Sequence, residues 1–503
     1  MHTAYTADQI RGAEHELMAR LPEGTLMQRA ASGLAAVCAD LLGRVYGKRV
    51  VLLVGSGDNG GDALYAGERL ARRGAWAGAI LAGSKTHEAG LAAFRQAGGR
   101  VVDRASLEDA DLIIDGLVGI GATGALREPY RELVEEANAA RGLIVAVDVP
   151  SGVDASSGRV DGTAVRARVT VTMGAYKTGL LVDPGAEQAG RVELVDIGLG
   201  AYLPDPDVAA LTSADVDVLL PRPGKESDKY RRGVLGVAAG SDLFTGAAVL
   251  AVGGALRAGA GMVRYVGPSA PVAQVRSHWP EAVVTELDRP SIDDVGRVQA
   301  WVIGPGLGTG EWAHELVAGV LASDVPVLID ADGLTVVARD RALLRRSAPV
   351  LITPHAGELA RLIRVDRDAI EAARLEHARR AAGELGVTVL LKGSTTVVAE
   401  DSRPVRVNAT GTSWLATGGT GDVLSGVAGA LLAQGLSCYD AGSCGAYLHG
   451  LAGRLAADGA PLAAADVASA VPEAIRLVSG EEAGVEVGRH GGVRGGNRTR
   501  PRA

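Results

Sequence analysis

Short apolar, β-branched runs alternate along this chain with longer stretches rich in Ala, Leu and Arg. A short apolar run bounded by polar turns is typical of a buried strand, whereas the longer stretches carry the period of amphipathic helices. Strands that alternate with helices in this way form parallel sheets covered by crossover helices. The pattern therefore predicts an α/β fold.

The predicted elements fall into two series. In the first half, strands are expected at Arg49–Val54, Leu112–Asp115, Leu143–Asp148, Val169–Met173 and Val192–Asp196, and helices near 60–73, 87–97 and 127–140. In the second half, strands are expected at Val234–Ala238, Met262–Val266, Trp301–Ile303, Val325–Ile329, Val350–Ile352 and Val387–Lys392. The most apolar stretch, residues 245–262, contains glycines and Arg257 and has helical periodicity, which favours a packed helix over a membrane span.

Prolines mark the boundary between the two series. The stretch 200–224 (GAYLPDPDVAALTSADVDVLLPRPG) holds a proline cluster followed by PRPG, which is typical of a connecting segment. We predict one domain over residues 1–205, a linker over 206–224, a second domain over 225–480 and a disordered tail over 481–503. The tail is rich in Gly and Arg and has almost no apolar residues. Its basic charge could suggest RNA contact, but a solvated terminus is the simpler interpretation.

Composition narrows the functional classes. Hydrophobic residues make up 47% of the 503 residues, aromatic residues only 3%, and glycine occurs 70 times, which suits close packing of helices on sheets. The formal net charge of −8 argues against nucleic-acid binding. The cysteines, Cys38, Cys438 and Cys444, have neither zinc-site nor disulfide spacing. The N-terminus lacks a signal-peptide pattern and no apolar run is long enough for a membrane span, so a cytoplasmic protein is expected.

The most informative stretch is ATGGTGDVLSG at residues 416–426. Its glycines allow a tight turn whose N–H groups face a guest, and the N-terminus of the following helix adds partial positive charge. Such a loop can hold a phosphate or a developing anion. Asp422 follows it directly, where a carboxylate could take a proton from a hydroxyl that attacks a phosphate. The alternative is a Gly-rich turn in which Asp422 only caps the helix.

Three polar clusters follow predicted strands of the first half: GSGDNGGDAL at 55–64, Asp115 with GLVGIGATG, and Asp148 with VPSG. Because ligands of open α/β sheets bind beyond the carboxyl ends of the strands, these clusters should converge on one crevice. The expected lining is Asn59, Asp62, Asp115, Tyr130, Asp148 and Ser151. Oxygens of Asn59, Asp115 and Ser151 suit a cation, and Lys177 in YKTG is a candidate proton donor or charge partner. Each acid alone could equally be a helix cap or a turn former.

The second half repeats this arrangement. Polar turns follow its predicted strands in the sequences AAGSDLFTGAAVLA, IGPGLG, LIDADGL, LITPHAGELARL and LKGSTT. Ala247 and the turn at Gly306 allow a ligand to approach closely. His355 stands at a strand end and is a site candidate, whereas His278 and His449 are interpreted as structural.

Charged residues of the same turns suggest phosphate chemistry. Lys392 and the hydroxyls that follow it suit a nucleotide phosphate or ribose. Asp330 and Asp332 could bind Mg²⁺, but capping and turn formation explain the pair equally well.

Taken in order, the C-terminal motifs GSxxxTGA, GPGLG, DADGL, TPHxGE, LKG and GGTGD resemble the ADP/ATP-dependent NAD(P)H-hydrate dehydratase family. The N-terminal motifs NGGD, DVPSG and YKTG, with the loop after Asp115, resemble the NAD(P)H-hydrate epimerase family. Together they cover residues 1 to about 480 and resemble the fused, bifunctional repair enzymes of bacteria. Two departures are small: Ala63 follows NGGD where Gly is frequent, and the loop reads GIGATG where GTG is usual. The resemblance implies a Rossmann-like three-layer N-terminal domain and a ribokinase-like C-terminal domain.

The resemblance implies that the N-terminal domain interconverts the two epimers of hydrated NAD(P)H, called NADHX and NADPHX. The hydrate-binding residues would be Asp58, Asn59, Gly60, Gly61, Asp62, Gly119, Ile120, Gly121, Ala122, Thr123, Gly124, Ala125, Tyr130 and Asp148. Asn59, Asp115 and Ser151 would hold K⁺. Asp148 and Lys177 are the candidates for proton transfer.

The C-terminal domain would dehydrate the S epimer with ADP or ATP and Mg²⁺. Residues that contact the hydrate would be Ala247, Gly306, His355 and Asp422. The nucleotide would lie on Lys392, Gly393, Ser394, Thr395, Thr396 and Gly421. Asp422 would draw the proton from the C6 hydroxyl, which attacks the terminal phosphate, and the ring nitrogen would then expel the phosphorylated group. A homo-oligomer is also expected, because the helices are rich in Ala and two activities are fused.

Two other functions stay open on the residues alone. One is a ribokinase-like kinase that releases a stable phosphorylated alcohol and carries an N-terminal ligand-binding domain. The other is a binding or scaffolding role for the N-terminal half, whose polar clusters would then be only turns and caps. The attached NGGD and DVPSG motifs favour the repair function over an ordinary kinase.

Overall fold

The computed structural model describes residues 1–83, 85–226 and 228–480. It confirms the predicted α/β architecture, in which helices cover both faces of largely parallel sheets. The tail over 481–503 lies outside the described residues. The cysteines of the chain are free and buried, and no helix of the described ranges is long and apolar enough to cross a membrane.

Apolar strands and amphipathic helices alternate along the N-terminal half. Its strands are β1 His2–Tyr5, β2 Arg49–Val54, β3 Trp76–Leu81, β4 Arg100–Val101, β5 Leu112–Gly116, β6 Leu143–Val147, β7 Val169–Met173, β8 Tyr176–Lys177 and β9 Arg191–Val195. Its helices are α1 Ala7–Met18, α2 Thr25–Leu42, α3 Asp58–Arg72, α4 Glu88–Gln96, α5 Tyr130–Ala139 and α6 Gly185–Ala189. The start of α1 is fixed by a capping box, in which Thr6 and Gln9 each accept the other's backbone N–H.

In the described chain, seven of these strands form a parallel sheet in the order β4-β3-β2-β5-β6-β7-β9. Helices α1 to α4 pack on one face of this sheet and α5 packs on the other. Successive residues of each strand point to opposite faces, so each strand contributes apolar side chains to both cores. The direction in which the chain adds strands reverses between β2 and β5. Such a reversal opens a crevice at the carboxyl ends of the strands, where ligands of this fold class bind.

The C-terminal half begins with β10 Val208–Ala210. Its other strands are β11 Val234–Ala238, β12 Met262–Gly267, β13 Val283–Glu286, β14 Ala300–Ile303, β15 Val327–Ile329, β16 Val350–Ile352, β17 Thr388–Leu391, β18 Thr396–Ala399 and β19 Val405–Asn408. Its helices are α7 Ser213–Leu219, α8 Thr245–Arg257, α9 Ser269–His278, α10 Glu311–Leu321, α11 Asp332–Arg339, α12 Ala356–Ile363, α13 Arg367–Ala372, α14 Arg374–Leu385, α15 Thr420–Ala433, α16 Cys438–Ala457 and α17 Ala464–Val478.

A second sheet, 12-stranded over the described residues, has the order β13-β12-β11-β14-β15-β16-β17-β18-β19-β10-β1-β8. The seven strands from β13 to β17 are parallel, whereas β18 runs antiparallel to both of its neighbours, β17 and β19. Helices α8, α15, α16 and α17 cover one face, and α10, α11, α12 and α14 cover the other. The strands β1 and β8 come from the N-terminal half, so this sheet is shared between the two halves. The segment predicted as a linker, 206–224, contains β10 and α7.

Candidate active sites

The first candidate site lies at the carboxyl edge of the seven-stranded sheet. Residues Asp58 to Asp62 form the first turns of α3, directly after β2. The Asn59 amide nitrogen donates to the carbonyl oxygens of Val118, at 3.1 Å, and Val147, at 2.7 Å. This side chain therefore joins the α3 turn to the loops that follow β5 and β6, and the three predicted clusters do converge.

Asp115 is buried at the end of β5. Its carboxylate accepts hydrogen bonds from the Ser151 hydroxyl at 2.7 Å, from the Ser151 N–H at 2.8 Å and from the Leu117 N–H at 3.3 Å. The Ser151 hydroxyl also accepts from the Val118 N–H at 3.2 Å. Burial raises the pKa of Asp115 to about 6, and these hydrogen bonds only partly oppose the shift. Asn59, Asp115 and Ser151 thus form one connected cluster through the Ser151 hydroxyl and the Val118 backbone.

Asp148 and Lys177 form a buried ion pair beyond β6 and β7. The Lys177 ammonium donates to Asp148 Oδ1 and, at 2.7 Å, to the carbonyl oxygen of Met173. The Met173 N–H donates to the same Asp148 oxygen at 2.9 Å. The Lys177 side chain is 0% exposed and that of Asp148 10%, so the pair is held away from bulk water. A φ of 68° places Asp148 in the left-handed region, which is uncommon for a residue other than glycine and indicates that the surrounding structure holds it there.

Asp62 faces a different environment from Asp148. It is 8% exposed, and within the described residues its buried Oδ1 has no hydrogen-bond partner. Burial, followed by the charges of Asp148, Asp58 and Glu14, raises the pKa of Asp62 well above its ordinary value. Burial likewise raises the pKa of Glu14 on α1. Asp62 is thus a candidate proton donor beside Asp148, whose carboxylate pairs with Lys177.

The loop after β5 closes the crevice. The Arg11 guanidinium of α1 donates to the Ile120 carbonyl at 3.1 Å. A Cβ atom at Gly119 would lie 2.5 Å from the Asn59 side-chain oxygen, so the loop and the α3 turn are in direct contact. Thr123 and Gly124 line a cavity of about 510 Å³ that residues of both halves enclose. The Tyr130 hydroxyl lies beside Gly83 and Ser56, at the ends of β3 and β2, as expected for a residue that lines the same edge.

The second candidate site lies at the N-terminus of α15. Gly419, with a φ of 89°, precedes the helix, and Asp422 lies in its first turn. The helix start has no side-chain cap, so the structure does not assign Asp422 the capping role that the sequence left open. A Cβ atom at Gly426 would lie 2.1 Å from the Ala251 carbonyl oxygen, which means that α15 and α8 pack backbone to backbone. This contact fixes the position of the helix that carries Asp422.

A network of charges surrounds Asp422. Asp330, 1% exposed, accepts from the Lys392 ammonium at 2.6 Å and from the Ser425 hydroxyl at 2.7 Å. The Glu358 carboxylate is 3.8 Å from the same ammonium. Burial works against the charge on Lys392, but the Asp330 and Glu358 carboxylates raise its pKa above the ordinary value. Lys392 is therefore a fixed cation, and a Cβ atom at Gly421 would lie 3.6 Å from its Nζ.

Asp422 titrates near neutral pH. Burial raises the pKa of its carboxyl to about 7, the nearby Asp330 and Asp332 add to the shift, and Lys392 partly opposes it. A carboxyl with a pKa close to the working pH is a suitable general base.

The raised pKa of Asp422 predicts a stability effect that does not depend on any ligand. Because the folded protein retains a proton that the unfolded chain releases, the favourable contribution of this group is full below its ordinary pKa of 3.8 and is lost as the pH rises through about 7. Asp422→Asn should therefore stabilise the protein more at about pH 8 than at about pH 5. The difference should be about 1–3 kcal/mol, at about 1.4 kcal/mol per pKa unit. Thermal melting at the two pH values measures it, and an equal effect at both would contradict the assigned pKa.

The remaining predicted residues lie at the same sheet edge. His355 is the N-cap of α12: its Nδ1 accepts from the Gly357 N–H at 3.0 Å, and burial lowers the pKa of its half-exposed ring. A Cβ atom at Gly306 would lie 2.8 Å from the Ala247 methyl group, so these two residues are neighbours. His449, interpreted as structural, contacts the Thr420 carbonyl oxygen through Nε2 at 2.9 Å.

The acidic pair Asp330 and Asp332 is not arranged as an open metal site. Asp330 is already engaged by Lys392 and Ser425, and Asp332 accepts from the Gly308 N–H at 2.9 Å. In the part of the chain that the structure describes, no group of three His, Cys, Asp or Glu residues could hold a metal ion. Both carboxylates are thus engaged within the protein, but neither caps α11, so the choice between Mg²⁺ binding and a structural role stays open.

The residues of the turn 392–396 differ in their exposure to solvent. Gly393 and Ser394 are exposed, whereas Thr395 is 1% exposed and donates its hydroxyl to Asp183 at 2.7 Å. Arg374 packs under the turn, where it donates to the Lys392 carbonyl at 2.8 Å. Sequence reasoning missed Arg374, Asp183, Ser425, Glu14 and Arg11. Of these residues, only Ser425 could have been found from the sequence, because it lies one helical turn after Gly421 in the same motif.

Comparison with known proteins shows which family models and relatives the chain matches. A family model described as NAD(P)H-hydrate dehydratase matches residues 235–473, and one described as YjeF-related protein N-terminus matches residues 23–179. The bifunctional NAD(P)H-hydrate repair enzyme Nnr of Mycobacterium tuberculosis is 48% identical over 447 residues, which cover 88% of this chain and 91% of that protein. The protein of the same name from Escherichia coli is 35% identical over 453 residues, which cover 88% and 87%.

A solved structure supports the fold of the second half. The structure of a ribokinase-like superfamily protein from Enterococcus faecalis matches with a TM-score of 0.50 and 23% identity, covering 55% of this chain and 98% of that one. The predicted ribokinase-like fold is thereby confirmed. With both family models matched in order and close relatives aligned over most of their length, the chain belongs to the family of bifunctional NAD(P)H-hydrate repair enzymes.

Proposed function

We propose that this protein repairs hydrated nicotinamide cofactors with two active sites. The N-terminal half interconverts the R and S epimers of NADHX and NADPHX, and the C-terminal half dehydrates the S epimer with ADP or ATP. The observation that carries the proposal is Asp422, a carboxyl with a pKa of about 7 at a helix N-terminus beside the fixed cation Lys392. One family description names the dehydratase and the relatives are named bifunctional repair enzymes, which supports a repair function with two activities.

In the dehydratase site, Asp422 takes the proton of the C6 hydroxyl, whose oxygen attacks the terminal phosphorus of the nucleotide and displaces AMP from ADP or ADP from ATP. The backbone N–H groups of Gly418 to Gly421 and the Lys392 ammonium stabilise the negative charge that develops on the transferred phosphate. The lone pair of the ring nitrogen then breaks the C6–O bond, phosphate leaves, and loss of the C5 proton restores the double bond of NAD(P)H. Mg²⁺ would be supplied with the nucleotide and would offset the negative charge of its phosphates. The Asp330 carboxylate is engaged by Lys392 and Ser425.

In the epimerase site, the C6–O bond must break and re-form on the other face of the ring. A proton given to the hydroxyl makes water the leaving group, and a proton taken from the returning water completes the exchange. We assign this proton transfer to the Asp148–Lys177 pair, with Asp62, whose pKa burial raises, as a hydrogen-bond donor to the hydrate. The two carboxyls suit these opposite roles because their surroundings differ.

We further propose that K⁺ binds between Asn59, Asp115 and Ser151. Their oxygens are hard ligands, and a nearby cation would stabilise the charge of the buried Asp115 carboxylate, whose pKa is raised.

Added K⁺ should raise the melting temperature at about pH 8, and this effect should fade below pH 6, where Asp115 takes up a proton. Melting in potassium chloride against N-methylglucamine chloride tests this, with Asp115→Asn as the variant that loses the effect. Equal stabilisation at low and high pH would contradict the assignment.

A kinase that releases a stable phosphorylated alcohol is the second candidate, because the ribokinase-like fold and Asp422 would serve it equally. The stoichiometry of the reaction separates the two. The protein is incubated with S-NADHX, Mg²⁺ and ADP or ATP, while NADH absorbance and free phosphate are both followed. The proposal predicts equal amounts of NADH and phosphate. Consumption of nucleotide without NADH would establish the kinase instead.

A further inference from the structure

The turn that we assign to the nucleotide, residues 392–396, is held from below by Arg374. This guanidinium is buried and donates to the carbonyl oxygens of Lys392 at 2.8 Å, Leu391 at 3.4 Å and Thr395 at 3.4 Å. A Cβ atom at Gly393 would lie 2.1 Å from the Arg374 Nη2, so the backbone of the turn lies directly on the guanidinium. The turn is therefore a rigid platform on this side.

The other side of the turn is held by the N-terminal half. The Thr395 hydroxyl donates to Asp183 Oδ2 at 2.7 Å and accepts from the Asp183 N–H at 3.3 Å. The second Asp183 oxygen accepts from the Glu187 N–H at 3.1 Å, which fixes the carboxylate at the start of α6. Thr395 is 1% exposed, so this two-way contact is shielded from water and is stronger than a surface hydrogen bond.

The same segment also carries part of the epimerase site. Asp183 follows soon after Lys177, and Lys177 itself lies on β8, in register with Tyr5 of β1. From β1 the sheet continues through β10 and β19 to β18, which begins at Thr396. Both the Asp183 contact and the sheet thus connect the N-terminal half to the nucleotide turn.

We propose that Asp183 is a positioning residue for nucleotide binding in the opposite half of the chain. This inference rests on the proposed function, since it requires that the turn 392–396 binds ADP or ATP. Asp183 orients the turn before the nucleotide arrives and has no part in the chemistry at Asp422. Its loss should raise the KM for nucleotide about tenfold and leave kcat nearly unchanged, as expected for a contact that acts only through preorganisation.

A double-mutant cycle tests the contact. Asp183→Ala, Thr395→Val and the double variant are compared by nucleotide KM and kcat in dehydration of S-NADHX, and by calorimetric titration with ADP and Mg²⁺. We expect each single change to weaken nucleotide binding about tenfold and the double change to be no worse than either, because both remove one interaction. Thr395→Ser, which keeps the hydroxyl, should recover most of the affinity that Thr395→Val loses. Glu187→Ala, which alters an exposed side chain of α6, is the matched control and should bind as wild type.

The outcomes separate this inference from the proposed function. If the wild-type protein does not bind nucleotide or dehydrate S-NADHX, the proposed function fails. If the wild type is active but Asp183→Ala and Thr395→Val keep normal nucleotide affinity, or their effects simply add, only the positioning role is overturned. Should Asp183→Ala not fold, as judged by thermal melting, the conservative Thr395 variants decide the question alone.

Discussion

Asp422→Asn is expected to stop dehydration of NADHX while epimerisation continues. The change preserves the size of the side chain but removes the base that takes the proton from the C6 hydroxyl. Loss of a positioned general base typically lowers kcat by about 10²–10⁴-fold. Because the Asp148–Lys177 pair lies at the edge of the other sheet, the exchange of R and S epimers should proceed at the wild-type rate.

Two assays on the same sample measure this separation. NADH absorbance follows dehydration in the presence of nucleotide, and chromatographic separation of the epimers follows their exchange without it. Asp401→Asn, which makes the same charge change on an exposed turn of the C-terminal half, is the matched control. Loss of both activities in Asp422→Asn would contradict the division of labour between the two halves.

Lys177→Met is expected to have the opposite effect: epimerisation stops and dehydration of the S epimer continues. Removal of the ammonium leaves the Asp148 carboxylate buried without its partner, so the epimerase loses its proton donor, with an expected drop of about 10²–10⁴-fold. The same change should destabilise the protein by about 3–5 kcal/mol, because a buried charge is left uncompensated.

Stability must therefore be separated from catalysis in this test. The double variant Asp148→Asn with Lys177→Met has no buried charge and should recover much of the lost stability without recovering epimerisation. Lys48→Met is the matched control, since Lys48 pairs with Asp111 at 2.7 Å in a partly exposed setting, where such a pair contributes about 1 kcal/mol or less. Epimerisation that persists in the double variant would show that the pair is only structural, and the N-terminal half would then need another acid and base.

Most of the strands that the sequence predicted are buried on both faces. Runs such as Val50–Val54, Leu112–Ile114 and Val350–Ile352 are continuous apolar segments, and the structure places strands at these positions. The sequence did not predict β3, β4, β13, β18 and β19, nor the short strands β1, β8 and β10. Of the last three, β1 and β10 pair across the two halves, and β8 pairs with β1. The formation of these three depends on how the halves meet, which no local pattern of residues records. The division at 206–224 stays a prediction for the same reason.

The sequence predicts those site residues whose motifs directly follow a strand. Parallel strands bring their carboxyl ends to one edge, so residues such as Asn59, Asp115 and Ser151 could be expected to meet. The partners that set the chemistry could not be predicted in this way. Ser425 contacts Asp330 across 95 positions of the chain, and the pKa of Asp422 depends on burial and on that same carboxylate. Those effects arise only once helices and sheet have packed.

The most direct test of the account is the extent of cofactor recovery from a mixture of R- and S-NADHX. The purified full-length protein is given Mg²⁺, K⁺ and ADP or ATP, and NADH absorbance is followed to its end point. The account predicts complete recovery of both epimers by this single chain, dependent on nucleotide. Recovery that stops at the S fraction would contradict the assignment of an epimerase to the N-terminal half, and no recovery with either nucleotide would contradict the repair function altogether.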